Sequence, residues 1–326
     1  MLATGGTIAG QAGDASNTMG YTAGVVGVDK LLDAVPALAS VARIHAEQIA
    51  SIDSKDMSPA LWSTLATRID TLLAQDDIDG VVVTHGTDTL EETAYLLHLT
   101  VKSAKPVVLT SAMRPSTALS ADGPLNLLNA VMVTASASAS GQGVLVAFNN
   151  QIHSARDVIK TSTYAVDAFR SPETGVLGFV QDGRVEFQRT VTRAHTTASE
   201  FTVIDQGDQS DSWPLVEIVV SYAGVSRVAV DALVKAGVKG IVVAGTGNGS
   251  MHASLTEALA DAVKQGVAVV RSSRVGSGHV IRNGAAFDDA LGTLSAGTLN
   301  PYKARVLLLL ALAANVPDLQ RVFDTY

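Results

Sequence analysis

Four segments of this chain combine hydroxyls, carboxylates, an amine or glycine-rich turns in spacings that could do chemistry. The first is Thr4-Gly5-Gly6-Thr7-Ile8-Ala9-Gly10, with two threonines around two glycines. Glycine lets a backbone turn sharply and come close to a ligand. The segment reads as an ordinary strand-to-loop turn, a phosphate loop or a catalytic turn, and it has neither P-loop nor dinucleotide spacing. The second is Thr84-His85-Gly86-Thr87-Asp88-Thr89-Leu90-Glu91-Glu92. Asp88 reads as the cap of a following helix, with Glu91 completing a capping box. That leaves Thr87 and Gly86 unexplained, and a helix N-terminus also offers free N–H groups to a carboxylate or an oxyanion. The third, Ala155 to Ser162, carries Lys160, a residue type that is usually a solvated surface charge. The fourth, Ala244-Gly245-Thr246-Gly247-Asn248-Gly249-Ser250, is another turn that could suit phosphate.

The elements that position these segments alternate along the chain. Short Val/Ile runs at Val81–Thr84, Pro106–Thr110 and Val144–Phe148 read as buried strands, separated by helices at about Thr89–Val101 and Leu125–Ala135. The pattern weakens after about Thr190, and the polar run Gln206–Ser212 reads as the end of a linker. It resumes with strands at Val216–Ser221, Ile241–Val243 and Val267–Val270 and helices at Arg227–Ala236 and Leu255–Lys264. A last helix opens with Asn300 as its cap and Pro301 at its first position. Thr134–Gly141 is low in complexity and reads as a helix end and loop. Strand–helix alternation with continuous apolar strands predicts an α/β chain with mainly parallel sheets. In such sheets ligands bind outside the carboxyl ends of the strands, where these glycine-rich turns fall.

Composition narrows the function classes. The 326 residues suit about two domains. The net charge of −8 argues against nucleic acid and does not favour anionic lipid. With 47% hydrophobic and 17% charged residues the chain is not disordered. The absence of cysteine excludes a disulfide scaffold, a thiolate metal site and a cysteine nucleophile. The seven histidines are scattered without metal spacing, so no metal is expected. G-x-S-x-G is missing, which argues against a serine-hydrolase elbow. The longest apolar run, Val306–Ala314, is about half of what a membrane span needs and reads as a buried helix. No signal peptide is visible. Met1-Leu2-Ala3 runs at once into the first turn, so the strand before it reads as nearly missing. Upstream residues are therefore expected, and restoring them should raise stability by completing that strand.

Taken together, the segments resemble a known family. Met1 to Ile8 and Thr84 to Thr89 look like the two signature motifs of the bacterial L-asparaginases. Ala112-Met113-Arg114-Pro115-Ser116, Ser120 to Pro124, Ser272 to Val275 and Leu299 to Arg305 resemble the type II, typically periplasmic, branch of the asparaginase and glutaminase-asparaginase family. The likeness runs in order along the whole chain. It implies two α/β domains: a larger N-terminal one over 1–189, a linker over 190–211 and a smaller C-terminal one over 212–326. It also implies a homotetramer with active sites shared between subunits, and hydrolysis of L-asparagine to L-aspartate and ammonia without a cofactor. Residue by residue, Thr7 matches the nucleophile and Tyr21 the tyrosine beside it. Thr87, Asp88 and Lys160 match a second threonine and its acid–base partners. Ser54, Gly86, Thr87, Asp88, Ala112 and Asn248 match substrate-binding positions: Ser54 for the α-carboxylate, Asp88 for the α-ammonium, Asn248 from the C-terminal domain. A threonine hydroxyl is a weak nucleophile that needs a base, and a Thr–Lys–Asp set follows triad logic without serine or histidine. Glutamine is a possible second substrate, and a non-catalytic amino-acid binder on the same fold is the rival reading.

Two positions depart from the family pattern. Lys55 stands where a glutamine or glutamate usually helps to receive the substrate's α-ammonium. A lysine there would repel that group unless its head turns toward Asp53 or Asp56. In Asn283 to Asp289, alanine replaces the glutamate that the family usually sends across the interface. Both changes predict weaker substrate affinity or altered selectivity.

Overall fold

The computed structural model describes residues 1–203 and 213–326. The chain divides into two units, Met1–Val203 and Ile204–Tyr326. Both are α/β with mainly parallel sheets, as the alternation implies, and the first is the larger. Of the segment expected as a linker, residues 190–203 belong to the first unit. There Lys102 Nζ donates to the carbonyls of Thr196 (3.3 Å) and Ser199 (2.6 Å). Residues 204–212, including the whole polar run, lie outside the described residues.

The strands of the first unit are β1 (Leu2–Gly5), β2 (Glu47–Ile52), β3 (Val81–Thr84), β4 (Val107–Thr110), β5 (Val144–Phe148), β6 (Gln151–Ser154), β7 (Ile159–Lys160), β8 (Phe169–Arg170), β9 (Gly178–Gln181) and β10 (Arg184–Phe187). Its helices are α1 (Val28–Asp33), α2 (Pro59–Leu73), α3 (Leu90–Thr100) and α4 (Gly123–Ala135). The main sheet runs β10-β9-β6-β5-β4-β3-β1-β2. From β5 to β2 every pairing is parallel, while β6, β9 and β10 are antiparallel. Residues of β3, β4 and β5 are buried throughout, which requires cover on both faces. On one face Leu127, Ala130 and Val131 of α4 pack with Val82, Val108, Leu145 and Ile8. Helix α4 begins at Gly123, ahead of the predicted Leu125, because Pro124 fits a first turn that needs no N–H donor.

The strand that read as nearly missing is present as β1. It lies inside the sheet, paired with both β2 and β3, and Leu2 and Ala3 are buried. Because β2 lies on one side of β1 while β3, β4 and β5 lie on the other, the winding reverses between β1 and β3. That reversal opens a crevice at the carboxyl ends of those two strands.

The second unit contains β11 (Val216–Val220), β12 (Gly240–Gly245), β13 (Ala268–Ser273) and β14 (Leu294–Ser295), all parallel and in that order. Around it lie α5 (Val228–Lys235), α6 (Ala253–Lys264), α7 (Asp288–Leu291), α8 (Pro301–Ala313) and α9 (Leu319–Thr325). Asn300 caps α8 as expected, its Oδ1 accepting from Lys303 N at 3.0 Å. Gly240 lets α8 come close: a Cβ there would stand 2.7 Å from Leu308 Cδ2.

A fully buried ion pair ties the carboxyl ends of this sheet together. Arg271 Nε and Nη2 donate to the Asp288 carboxylate at 2.5 and 2.6 Å. The same guanidinium reaches the carbonyls of Asn248 (3.2 Å), Gly249 (3.0 Å) and Ile281 (3.2 Å). Asp288 also accepts from Asn283 N at 2.8 Å and Thr293 Oγ1 at 2.7 Å. Removing one partner strands the other charge without water. Asp288→Ala is therefore expected to destabilise the protein by about 3–5 kcal/mol in urea unfolding, and Arg271→Met with Asp288→Leu by less than the single change.

Candidate active site

The crevice at the strand reversal is built by two glycine turns in contact. Gly5 ends β1 and Gly6 follows it, at φ +106° and +80°. A Cβ on Gly5 would meet the Ile52 carbonyl oxygen at 2.4 Å, and one on Gly6 would meet Gly86 Cα at 2.3 Å. Only glycine satisfies both the positive φ and the approach. Thr4 Oγ1 donates to the Thr84 carbonyl at 3.0 Å and fixes the two strand ends to each other.

The turn after β1 then makes a short 3₁₀ helix, Thr7–Ala9, closed by Gly10 N donating to the Thr7 carbonyl at 2.8 Å. Thr7 is buried, and its Oγ1 lies 2.6 Å from the Tyr21 hydroxyl. Tyr21 is brought back by a loop whose ends pair at Gln11 and Thr22, with N–H···O distances of 3.1 and 2.9 Å. Its ring rests against Gly10, where a Cβ would stand 2.9 Å from Tyr21 Cδ2. Thr18 Oγ1 of the same loop meets the Tyr164 hydroxyl at 3.1 Å.

The turn after β3 carries the second cluster. Lys160, on the small β7–β8 hairpin opposite Phe169, donates to Thr87 Oγ1 at 2.8 Å and to Asp88 Oδ1 at 2.6 Å. Buried Ser54 accepts from Asp88 N at 3.1 Å, and its carbonyl accepts from Thr89 Oγ1 at 2.7 Å. Gly86 allows this approach, since a Cβ there would lie 2.5 Å from Ser54 Oγ. A shallow pocket lined by Asp88, Lys160, Thr161, Ser162 and Thr163 opens beside the ion pair. The capping box expected for Asp88 does not form. Thr89 is the N-cap of α3 without a side-chain cap bond, and Asp88 is spent on the lysine. A carboxylate gains more from a charge-assisted bond to an ammonium than from a neutral N–H.

The fold thus gathers Thr7, Tyr21, Ser54, Gly86, Thr87, Asp88 and Lys160 around one crevice. Ala112 is fully buried just past β4, the neighbour of β3. Asn248 belongs to the second unit, where its amide ties a loop: Oδ1 accepts from Ile281 N at 3.2 Å, and Nδ2 donates to the His279 carbonyl. Among the described residues no group of three or more His, Asp or Glu side chains is placed to hold a metal.

Comparison with known proteins agrees with this arrangement. Residues 1–193 match the family model described as "Asparaginase, N-terminal", and residues 215–323 match "Glutaminase/Asparaginase C-terminal domain". The chain belongs to the asparaginase family. It is 48% identical over 328 residues to "L-asparaginase 2" of Escherichia coli, covering 100% of this chain and 92% of that one. It is 49% identical over 312 residues to "Probable L-asparaginase periplasmic" of Haemophilus influenzae, covering 96% and 87%. Among solved structures, that of the probable cytoplasmic L-asparaginase from Campylobacter jejuni matches with a TM-score of 0.94 and 50% identity, over 100% of this chain and 98% of the other.

Within this family member, Lys55 takes the second of the two orientations open to it. Its ammonium bridges Asp53 Oδ2 at 3.2 Å and Asp56 Oδ2 at 2.9 Å, and the side chain is exposed. The hydrogen bonds to Asp56 and Asp53 raise its pKa. Its charge is therefore matched by flanking carboxylates, and the expected repulsion of an ammonium loses its main source.

Sequence reading gave no role to His85, yet this side chain is fully buried behind the second cluster. Its Nδ1–H donates to the Gly86 carbonyl at 2.8 Å, which steadies the peptide just before Thr87. Burial pushes the imidazole down to about 4. Between pH 6.5 and 4 the unfolded chain takes up a proton at this histidine and the folded chain does not, so its contribution lowers stability as pH falls. Denaturant unfolding at pH 7, 6 and 5 should show a loss with a slope that shrinks by up to about 1.4 kcal/mol per pH unit in His85→Gln.

Proposed function

We propose that this protein hydrolyses the side-chain amide of L-asparagine to L-aspartate and ammonia, with Thr7 as the nucleophile. The observation that carries this reading is the pair of partnered hydroxyls at one crevice: Thr7 against Tyr21 at 2.6 Å, and Thr87 against Lys160 at 2.8 Å. Tyr21 is the group positioned to accept the Thr7 proton as Oγ1 attacks the amide carbon. As it does so Tyr21 gives its own hydroxyl proton to the departing nitrogen, the C–N bond breaks, ammonia leaves and an acyl ester remains on Thr7. Water then cleaves the ester, giving L-aspartate and returning a proton to Thr7. Because Lys160 donates to Thr87 Oγ1, the Thr87 hydroxyl hydrogen is left to point at substrate or water. Asp88 offsets the lysine charge and provides an acceptor for the substrate's α-ammonium. The start of α3 beside Ser54 suits the α-carboxylate.

The family model of the second unit names glutaminase together with asparaginase, which supports L-glutamine as a second substrate. A single methylene separates the two amides, and pocket shape discriminates by about 1–3 kcal/mol. The reading carries with it the homotetramer with shared sites that the resemblance implies, and Asn248 as a support reaching a neighbour's site. Exposed apolar side chains on the second unit, Leu215, Val220, Tyr222 and Val228, favour such association. An exported, periplasmic location is the compartment proposed, in line with the type II motifs, with a cytoplasmic one as the alternative because no signal peptide is visible. No described helix is long and apolar enough to cross a membrane.

Ammonia release from L-asparagine, L-glutamine and D-asparagine tests the activity. Thr7→Ala is expected to lower kcat for L-asparagine by at least about a thousandfold, and Lys160→Met by about a hundredfold or more. A Thr7→Ala protein with full activity would remove the assigned nucleophile. With the Lys55 ammonium matched by Asp53 and Asp56, Lys55→Gln should leave KM for L-asparagine within about twofold, as read from initial rates. A tenfold fall in KM would restore the repulsion.

A further inference from the structure

The excursion between β4 and α4, residues 113–122, has no role in the reaction described so far, yet its hydrogen bonds converge on the Thr7 turn. Ser116 donates twice to the Gly10 carbonyl, from its N–H at 3.0 Å and its Oγ at 2.8 Å. Thr117 Oγ1 accepts from Ala12 N at 2.9 Å, and Leu119 N donates to the Ala15 carbonyl at 3.1 Å. Gly10 is the residue whose N–H closes the Thr7 turn and against which the Tyr21 ring rests. The excursion therefore holds one strand of the loop that returns Tyr21 to Thr7.

One side chain closes the neck of the excursion. Asp122 Oδ2 accepts from Met113 N and Oδ1 from Arg114 N, both at 2.9 Å. Although Asp122 precedes α4 in the cap position, its carboxylate makes no cap bond to that helix. One turn on, Asn126 Nδ2 donates to the Ser111 carbonyl at 3.0 Å, so the first turn of α4 grips the chain on both sides of Ala112. Gly123 packs beneath: a Cβ there would stand 3.0 Å from Ile8 Cγ1 and 3.4 Å from Ala112 Cβ.

We propose that Asp122 is a positioning residue for the Thr7–Tyr21 hydrogen bond, acting through the 113–122 excursion and its grip on Gly10. The proposal rests on Thr7 being the nucleophile. Asp122→Asn keeps size and shape but turns an N–H group toward one of the two backbone donors. For L-asparagine it should lower kcat by about tenfold or more while KM stays within about twofold, because the Thr7–Tyr21 bond acts in the chemical step. Ser116→Ala with Thr117→Val, which loosens the grip without touching Asp122, should show the same split with only a small fall in melting temperature. In a Tyr21→Phe background the Asp122→Asn change should cost little further kcat, since both act on one hydrogen bond.

Wild-type kcat in folded Asp122→Asn overturns the proposal, as do fully additive losses in the Tyr21→Phe background. If Asp122→Asn does not fold, wild-type kcat in the Ser116/Thr117 variant overturns it. A fully active Thr7→Ala protein would instead defeat the underlying reading, so the two failures are told apart.

Discussion

The rest of the site depends on one backbone contact, that between Gly6 and Gly86 where the sheet reverses its winding. Parallel strands normally keep their connecting turns apart by the width of their side chains. Here a Cβ on Gly6 would stand 2.3 Å from the neighbouring Cα, so removing it lets the β1 and β3 turns touch. The contact does two things. It brings Thr7 and Thr87, each one residue beyond its glycine, to the same crevice. It also lets Ser54 reach past Gly86 to the N–H of Asp88. A site on a contact of this kind inherits the rigidity of the strands behind it, which a site on free loops lacks.

Rigidity matters because the proposed chemistry has no strong reagent in it. A threonine hydroxyl, a tyrosine and a lysine are all poor groups for neutral-pH proton transfer in water, and each must be held against its partner. The structure spends polar groups freely on that holding. Lys160 is fixed by Thr87 and Asp88 together, Tyr21 by a paired loop, and the Gly86 carbonyl by a buried neutral histidine. The second unit shows the same economy at Arg271, whose guanidinium fixes Asn248, Gly249, Ile281 and Asp288 together.

Much of this was legible in the sequence, for identifiable reasons. Continuous Val/Ile strands and 3.6-residue helices follow from burial on both sheet faces, so β3, β4, β5, β12 and β13 stand within a few residues of their expected ranges. Thr7, Thr87, Asp88 and Lys160 are named through the resemblance to the family; the residues alone leave the first turn open between an ordinary turn, a phosphate loop and a catalytic turn and read Lys160 as a surface charge. Strands β6 to β10 left no such signature, since a short antiparallel strand such as Gln-Ile-His-Ser is neither continuously apolar nor regularly alternating. Two aspartates before helices were equally opaque. Asp88, expected as a cap, is drawn to a lysine 72 residues on, and Asp122, in the cap position of α4, turns back to the chain eight and nine residues earlier. Local spacing reports the cap that an aspartate can make. It cannot report a stronger partner that only the tertiary fold supplies.

Lys55 illustrates the same limit with the sign reversed. Taken alone, a lysine where the family usually places a glutamine or glutamate for the substrate's α-ammonium looks hostile to an amino-acid substrate. Its neighbours in sequence, Asp53 and Asp56, take up the ammonium because the 3₁₀ turn Ser54–Asp56 brings both within bonding reach of it. The three exposed side chains sum to a charge of −1, so the cluster as a whole favours a cation nearby. Exposed pairs of this kind contribute little to stability. Their consequence is directional: they hold the lysine head on the two carboxylates, while Ser54, buried one residue earlier in the same turn, keeps its hydroxyl for Asp88.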